Sequence, residues 1–114
     1  MNDYHLLRHE FVRGVFGRGH RLDIWDAVLK HEIEPADPFT VKSIFDELSE
    51  TTMSPRPTIS MVWGEFVRLE ELNMTRRVSP QQSKLVPHVR LDSPMWPVVQ
   101  HAIEVIEVIY PPAH

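Results

Sequence analysis

His5 and His9 lie one helical turn apart, with Glu10 beside His9, and are the first side chains in this sequence that could share a metal ion. That chemistry needs a third ligand, and a zinc-hydrolase site needs the order His-Glu-x-x-His; the segment supplies neither. Solvent-facing histidines on a short helix are the better reading. His20, His31, His88 and His101 are scattered along the chain. Asp23 and Asp26 could work as a carboxylate pair, but as neighbours of a helix start they are better explained as cap and first-turn residues. Gly14, Gly17 and Gly19 lack the following lysine-serine or lysine-threonine of a phosphate loop. No serine sits in a recognisable nucleophile elbow. The chain has no cysteine, which removes thiolate nucleophiles, disulfides, iron–sulfur clusters and cysteine-ligated zinc. The expectation is no enzyme, no metal and no cofactor.

What remains is the chemistry of a binding surface. Twelve basic against sixteen acidic side chains give a net charge of −4, a poor general match to a polyanion. The distribution says more: residues 1–22 carry a net +2, residues 23–53 a net −6, residues 54–92 a net +2 and residues 93–114 a net −2. A polyanion would therefore meet the middle of the chain and its N-terminal arm, although swings of this size also suit ordinary solvated faces.

The elements that must carry these residues can be read from periodicity. Residues 1–12 suit a short helix with Leu6, Leu7, Phe11 and Val12 as its apolar side, and the glycine-rich run Arg13–His20 stops it. Asp23 caps the next helix, with Leu22 as a hydrophobic staple and Ile24, Trp25, Val28 and Leu29 as its stripe. Thr40 caps a third helix whose apolar face is Val41, Ile44, Phe45 and Leu48. A turn with Pro55 and Pro57 leads into a helix from about Thr58 to Leu72. Its stripe is Ile59, Val62, Phe66 and Leu69, with Thr58, Met61, Glu65 and Arg68 opposite and Ser60 and Gly64 beside them. Asn73 then takes the left-handed position that ends a helix. Met74–Val78 and Lys84–Leu91 read as two short strands around the polar tip Ser79–Ser83, the second being an edge or bulged at Pro87. Ser93 caps a last helix with Pro94 in its first position and a long apolar arc from Trp96 to Tyr110.

A chain of 114 residues with 42% apolar and 25% charged side chains has room for one domain. The expected divisions are an N-terminal arm (1–22), a central unit (23–92) and a C-terminal helix (93–114). No apolar run reaches the ~18–20 residues of a membrane span, and the start has no signal-peptide build, so a cytoplasmic location is expected.

Helix, helix, turn, helix, two-stranded ribbon, helix is the layout of a winged helix-turn-helix, mainly α with a small β ribbon. Residues 40–91 resemble the DNA-binding part of MarR- and PadR-type regulators. Thr40–Leu48 is similar to their supporting helix, Pro57-Thr58-Ile59-Ser60 stands where their recognition helix starts, and Leu69–Arg77 resembles that helix's end with the first wing strand. Lys84–Leu91 matches the returning strand. The segment from Leu48 to Thr58 is longer than the family's tight turn, Asn73 replaces the usual glycine, and the wing tip carries glutamines in place of charge.

The resemblance implies double-stranded DNA as the partner. Thr58, Ser60 and Met61 would approach phosphate or base edges from the start of the recognition helix, with Arg56 before it and Arg68 further along. Arg76, Arg77, Gln81, Gln82 and Lys84 would supply the wing. Glu65 on the same face repels phosphate unless it accepts from a cytosine amine or pairs with Arg68. Residues 94–110 would form a homodimer, because their apolar side chains exceed what one face can hide. A small effector would lie between the dimerisation helices and the DNA-binding part, though no polar cluster specifies one. The alternative is a winged-helix adaptor that binds another protein and no DNA.

Overall fold

The computed structural model of the chain describes residues 9, 11–15, 17, 19–33, 37–50 and 56–111. In order they form α1 (Arg21–Leu29), α2 (Val41–Ser49), α3 (Ile59–Glu71), β1 (Thr75–Arg77), β2 (His88–Arg90) and α4 (Met95–Ile109). Residues 11–15 are helical as well. The molecule is mostly helical with one small antiparallel sheet.

Local chemistry sets the helix ends. Thr40 Oγ1 accepts from the Ser43 amide at 2.9 Å while Ser43 Oγ accepts from the Thr40 amide at 2.8 Å, a reciprocal cap that fixes where α2 begins. Thr58, extended in backbone, accepts from the Met61 amide at 3.2 Å and starts α3. At the other end of α3, Asn73 takes φ 58°, and the Met74 amide reaches back to the Leu69 carbonyl at 2.9 Å. That turn sends the chain directly into β1.

The core is a single cluster. Val12, Leu22, Ile24 and Val28 meet Val41, Ile44 and Leu48, the Val62–Phe66–Leu69 stripe of α3, and Trp96, Val99, Ile103 and Ile106 of α4. The N-terminal segment, the central elements and the last helix are therefore packed as one body. The ribbon pairs Thr75 with Arg90, Arg76 with Val89 and Arg77 with His88. The far edge of β2 is occupied, because Phe39 and His88 exchange backbone hydrogen bonds of 2.9 and 2.7 Å and Arg90 Nε donates to the His31 carbonyl at 2.7 Å. Trp96 anchors α4 under the ribbon: its Nε1 donates to the Met74 and Leu91 carbonyls at 3.3 and 3.1 Å.

Several boundaries differ from the sequence reading. The N-terminal helix continues through Val15, and the break falls at Gly17, whose φ of 82° only glycine adopts easily. Helix α1 begins at Arg21 with His20 in the cap position, so Asp23 lies in the first turn and Leu22, fully within the helix, points into the core. The strands are shorter than their apolar runs, since Pro87 has no amide to donate and β2 starts just after it. Pro94 is the cap position of α4, although Ser93 still accepts from the Met95 amide at 3.2 Å. Leu6, Leu7 and residues 51–55 lie outside the described residues.

Phe66 is buried to 2% exposure at the centre of the cluster. Replacing it with alanine removes a ring from the centre of the cluster, which costs about 3–5 kcal/mol by loss of transfer energy plus the cavity left. Urea denaturation followed by circular dichroism measures this directly.

Candidate functional site

Helix α3 divides its side chains between two environments. Val62, Phe66 and Leu69 enter the core, and Ile59 is partly buried at its edge. Arg56, Thr58, Ser60, Met61, Gly64 and Arg68 stay in solvent at its start and along its outer face. Pro57 is buried and pins the approach to the helix. Thr58 is occupied by its capping bond, so its hydroxyl is already an acceptor within the protein. Arg56 and Arg68 make no ion pair with any described residue.

Glu65 corrects the sequence reading. A helical wheel places it beside Arg68 on the solvent face, yet it is 6% exposed. Arg21 Nε donates to Glu65 Oε1 at 2.8 Å and Trp25 Nε1 donates to the same oxygen at 3.0 Å. The Arg21 guanidinium also lies over the Trp25 ring, 5.9 Å from its centroid. Position 65 adjoins the buried stripe, and a cation and an indole from α1 are there to satisfy its charge. The carboxylate therefore faces α1 and is neutralised away from the outer face of α3.

The loop between β1 and β2 comes up beside α3. Lys84 shares a cleft of about 360 Å³ with Ser60, Trp63 and Gly64. Arg77 and Gln82 line a second one, about 270 Å³, with Trp63 and Val67. Arg77 is engaged within the protein: its Nε lies 3.3 Å from Glu70 Oε1 and its Nη1 donates to the Gln81 carbonyl at 3.3 Å, which shapes the loop. Arg76 and the side chains of Gln81, Gln82 and Lys84 are exposed. The ribbon residues and the start of α3 thus form one surface. Trp63 and Val67, for which the periodic pattern gave no role, lie between them and are 36% and 45% exposed.

A groove of about 750 Å³ runs along the other flank of α3. Arg56, Ser60, Met61 and Arg68 form one side; His9, Arg13, His20 and Arg21 form the other. A Cβ at Gly19 in that second wall would meet the His9 ring, which would have to shift. The His9 and His20 rings sit 4.6 Å apart. Burial, and then the neighbouring His9, hold the His20 pKa below its ordinary value, so its ring is neutral at pH 7. The sequence signal for this wall was the +2 arm with its clustered glycines; what it faced could not be read from spacing.

Beneath the ribbon, His88 is wedged against Phe39 and Phe66, with ring centroids 6.4 and 4.8 Å away. Its Nδ1 is 3.3 Å from Glu70 Oε1 but lacks the geometry of a hydrogen bond. The Glu70 carboxylate favours an imidazolium; burial and the nearby Arg77 guanidinium oppose it, and burial wins, lowering the pKa to about 4. His88 is a neutral core residue.

Among the described residues no cluster of three histidine, cysteine, aspartate or glutamate side chains could hold a metal ion, and no helix is long and apolar enough to cross a membrane. No family model, curated protein or solved structure matches the chain.

Two stability measurements follow. Glu65→Ala strands the Arg21 guanidinium and the Trp25 N–H and costs about 3 kcal/mol, whereas Glu65→Gln keeps an acceptor and loses less. For His88, the unfolded chain takes up a proton near pH 6.5 and the folded one only near 4. Its contribution is thus fully present above pH 6.5 and lost as the pH falls through that window, by up to about 3 kcal/mol. Denaturant midpoints between pH 4 and 7.5 measure this, and His88→Leu should flatten that part of the curve.

Proposed function

We propose that the chain is a sequence-specific DNA-binding transcriptional regulator of winged helix-turn-helix build, acting as a homodimer. Helix α3 serves as the recognition helix, α2 as its support, and the β1–β2 ribbon as the wing. The observation that carries the reading is the inward turn of Glu65: the acid that would repel phosphate is neutralised by Arg21 and Trp25, while Arg56 and Arg68 stand in solvent. Lys84 beside Ser60 and Gly64 continues the cationic surface onto the wing. On this surface Arg56, Ser60 and Met61 read base edges. Thr58 and Arg68 contact phosphate, and Arg76, Gln81, Gln82 and Lys84 position the wing. Arg77 holds the wing loop through Glu70 and the Gln81 carbonyl and reaches the backbone at its margin.

The dimer forms through residues 94–110. Helix α4 buries Trp96, Val99, Ile103 and Ile106 against the core, and still leaves Val98, Val105, Val108 and Ile109 exposed, Val108 at 82%. A second copy covering this strip by two-fold symmetry would set two recognition helices about one DNA turn, ~34 Å, apart.

A protein-binding adaptor is the second reading, favoured by one observation: Met61, Trp63, Val67 and Leu72 make the outer face of α3 unusually apolar for a DNA reader. Titrating duplex DNA selected from genomic fragments separates the two. Neutralising Arg76 or Lys84 should weaken specific and scrambled duplexes alike and lower the salt slope by about one per lost phosphate contact. Changing Arg56, Ser60 or Met61 should alter base preference, with ~1–3 kcal/mol of discrimination at each true base contact. If the parent binds no selected duplex better than a scrambled one, the adaptor takes its place. Sedimentation at micromolar concentration should give about twice the 13.3 kDa chain mass, and Val108→Glu should shift it to the monomer.

A further inference from the structure

The three tryptophans of the chain differ in what the fold asks of them. Trp25 donates its indole N–H to Glu65 Oε1 at 3.0 Å and carries the Arg21 guanidinium over its ring, 5.9 Å from the centroid. Trp96 donates to the Met74 and Leu91 carbonyls at 3.3 and 3.1 Å and carries Arg90 over its ring at 5.3 Å. Both are buried. Trp63 is 36% exposed on α3, and among the described residues it has neither an acceptor for its N–H nor a ring or cation against its face. It is also the wall shared by two clefts. Val67 and Gln82 line the one of about 270 Å³, and Ser60, Gly64 and Lys84 line the one of about 360 Å³. The Gln82 amide and the Lys84 ammonium are exposed and have no hydrogen bond or ion pair with any described residue. Glu70, the acid lining the first cleft, is held by Arg77 at 3.3 Å. Beside Trp63 the second cleft is open, since nothing stands within 4 Å of where a Gly64 Cβ would be.

We propose that this flank of α3 binds an unpaired nucleotide of a single-stranded nucleic acid, its base stacked on the Trp63 indole and its backbone phosphate on Lys84. Stacking on a side chain needs an exposed aromatic ring with a free face, and Trp63 is the one tryptophan that offers it. The edge of a base carries donors and acceptors, and the Gln82 amide has both kinds to meet it. Lys84, two residues along the same loop, supplies the positive charge that a strand's backbone requires. A purely apolar ligand would leave the amide and the ammonium unused. A base within a duplex is stacked on its neighbours, so its face is closed to Trp63 until it leaves the stack. The first cleft, below the roughly 300 Å³ at which drug-sized sites begin, has room for a single ring system. This site does not depend on duplex recognition through Arg56, Met61 and Arg68, which line the opposite flank of α3.

Tryptophan fluorescence tests this on the full chain, because Trp25 and Trp96 are buried and a stacking base quenches the exposed ring. The probes are pentathymidylate, an abasic strand of the same length, thymidine monophosphate and a blunt duplex. Pentathymidylate should quench saturably, the monophosphate only at higher concentration, and the abasic strand and the duplex little. Anisotropy of a labelled pentathymidylate then follows the variants. Trp63→Phe keeps a ring face and should retain most of the affinity. Trp63→Leu keeps apolar bulk without the ring and should lose about tenfold. Lys84→Gln should lower the salt slope by about 0.7, the value for one phosphate of a single strand. Unchanged melting temperatures establish that the variants are folded. Absence of saturable quenching, equal binding of the abasic strand, parental binding by Trp63→Leu, or equal quenching by the blunt duplex overturns the proposal. Binding of the monophosphate as tightly as the strand overturns the strand as the source of the nucleotide. Strand binding without selective duplex binding keeps this site and removes the regulator reading, and selective duplex binding without strand binding does the reverse.

Discussion

A carboxylate on the core edge of a helix has to be compensated, and here the compensation fixes the geometry of everything around it. Glu65 would be intolerable at 6% exposure without Arg21 and Trp25. Those two residues lie one helical turn apart on α1, so one carboxylate oxygen accepts from two donors on a single face of that helix. The contact fixes the rotation of α3 about its axis. With Glu65 turned towards α1, Val62, Phe66 and Leu69 reach the core together, and Arg56, Ser60, Met61 and Arg68 are left outside. A rotation of α3 by one position towards the ribbon would expose the carboxylate and bring Trp63, Val67 and Glu70 inward in place of Val62, Phe66 and Leu69. The ion pair contributes modestly to net stability once its desolvation is counted, but it strongly selects one packing over its neighbours.

The ribbon depends on the same helix from its other flank. Asn73 reverses the chain immediately after α3, so β1 runs back alongside the face that carries Glu70. Glu70 then meets Arg77 on β1 and His88 on β2, placing one carboxylate between both strands. His88 fills the space between Phe39 and Phe66 as a neutral ring, and its backbone pairs with Phe39 just ahead of α2. Trp96 closes the far end by bonding the carbonyls at Met74 and Leu91. Strands of three residues are too short to hold a ribbon alone. These side chains from three other elements are what keep it in register.

Much of this was legible where the signal is local. The Thr40 and Thr58 caps, the stripe at 62, 66 and 69, and the left-handed turn at Asn73 follow from side-chain chemistry within a few residues. The start of α1 was misplaced because Asp23 is a good cap in isolation, whereas burying Leu22 favours extending the helix by one more turn. Glu65 was misread for a related reason: a helical wheel sorts residues by angle, and an acid at the margin of a stripe goes wherever its partner is. The partner here is 44 residues away in sequence. Trp63 passed unremarked because an aromatic side chain at a boundary position has no periodic signature, and the groove is built from an arm and a helix whose proximity only the folded chain reveals. The candidate contact residues were readable as a set, but their commitments were not. Thr58 Oγ1 already accepts in its cap and keeps only its hydroxyl hydrogen for an outside partner, and Arg77 is held by a carboxylate and a carbonyl.

These commitments limit how α3 could meet a polyanion. A helix enters the ~12 Å major groove by protruding from its surroundings, and the clefts on both sides of α3 leave it standing out from them. The flanks differ in chemistry. The N-terminal flank carries arginines and histidines, and the ribbon flank carries Trp63 and Val67 with Lys84 at its margin. A phosphate backbone would meet Arg68 along the first and Lys84 at the margin of the second. The apolar ribbon flank would then face base edges, where thymine methyl groups are the matching surface. Such a helix would discriminate mainly by shape and methyl contact, since only Arg56 and Ser60 offer directional hydrogen bonds at its start.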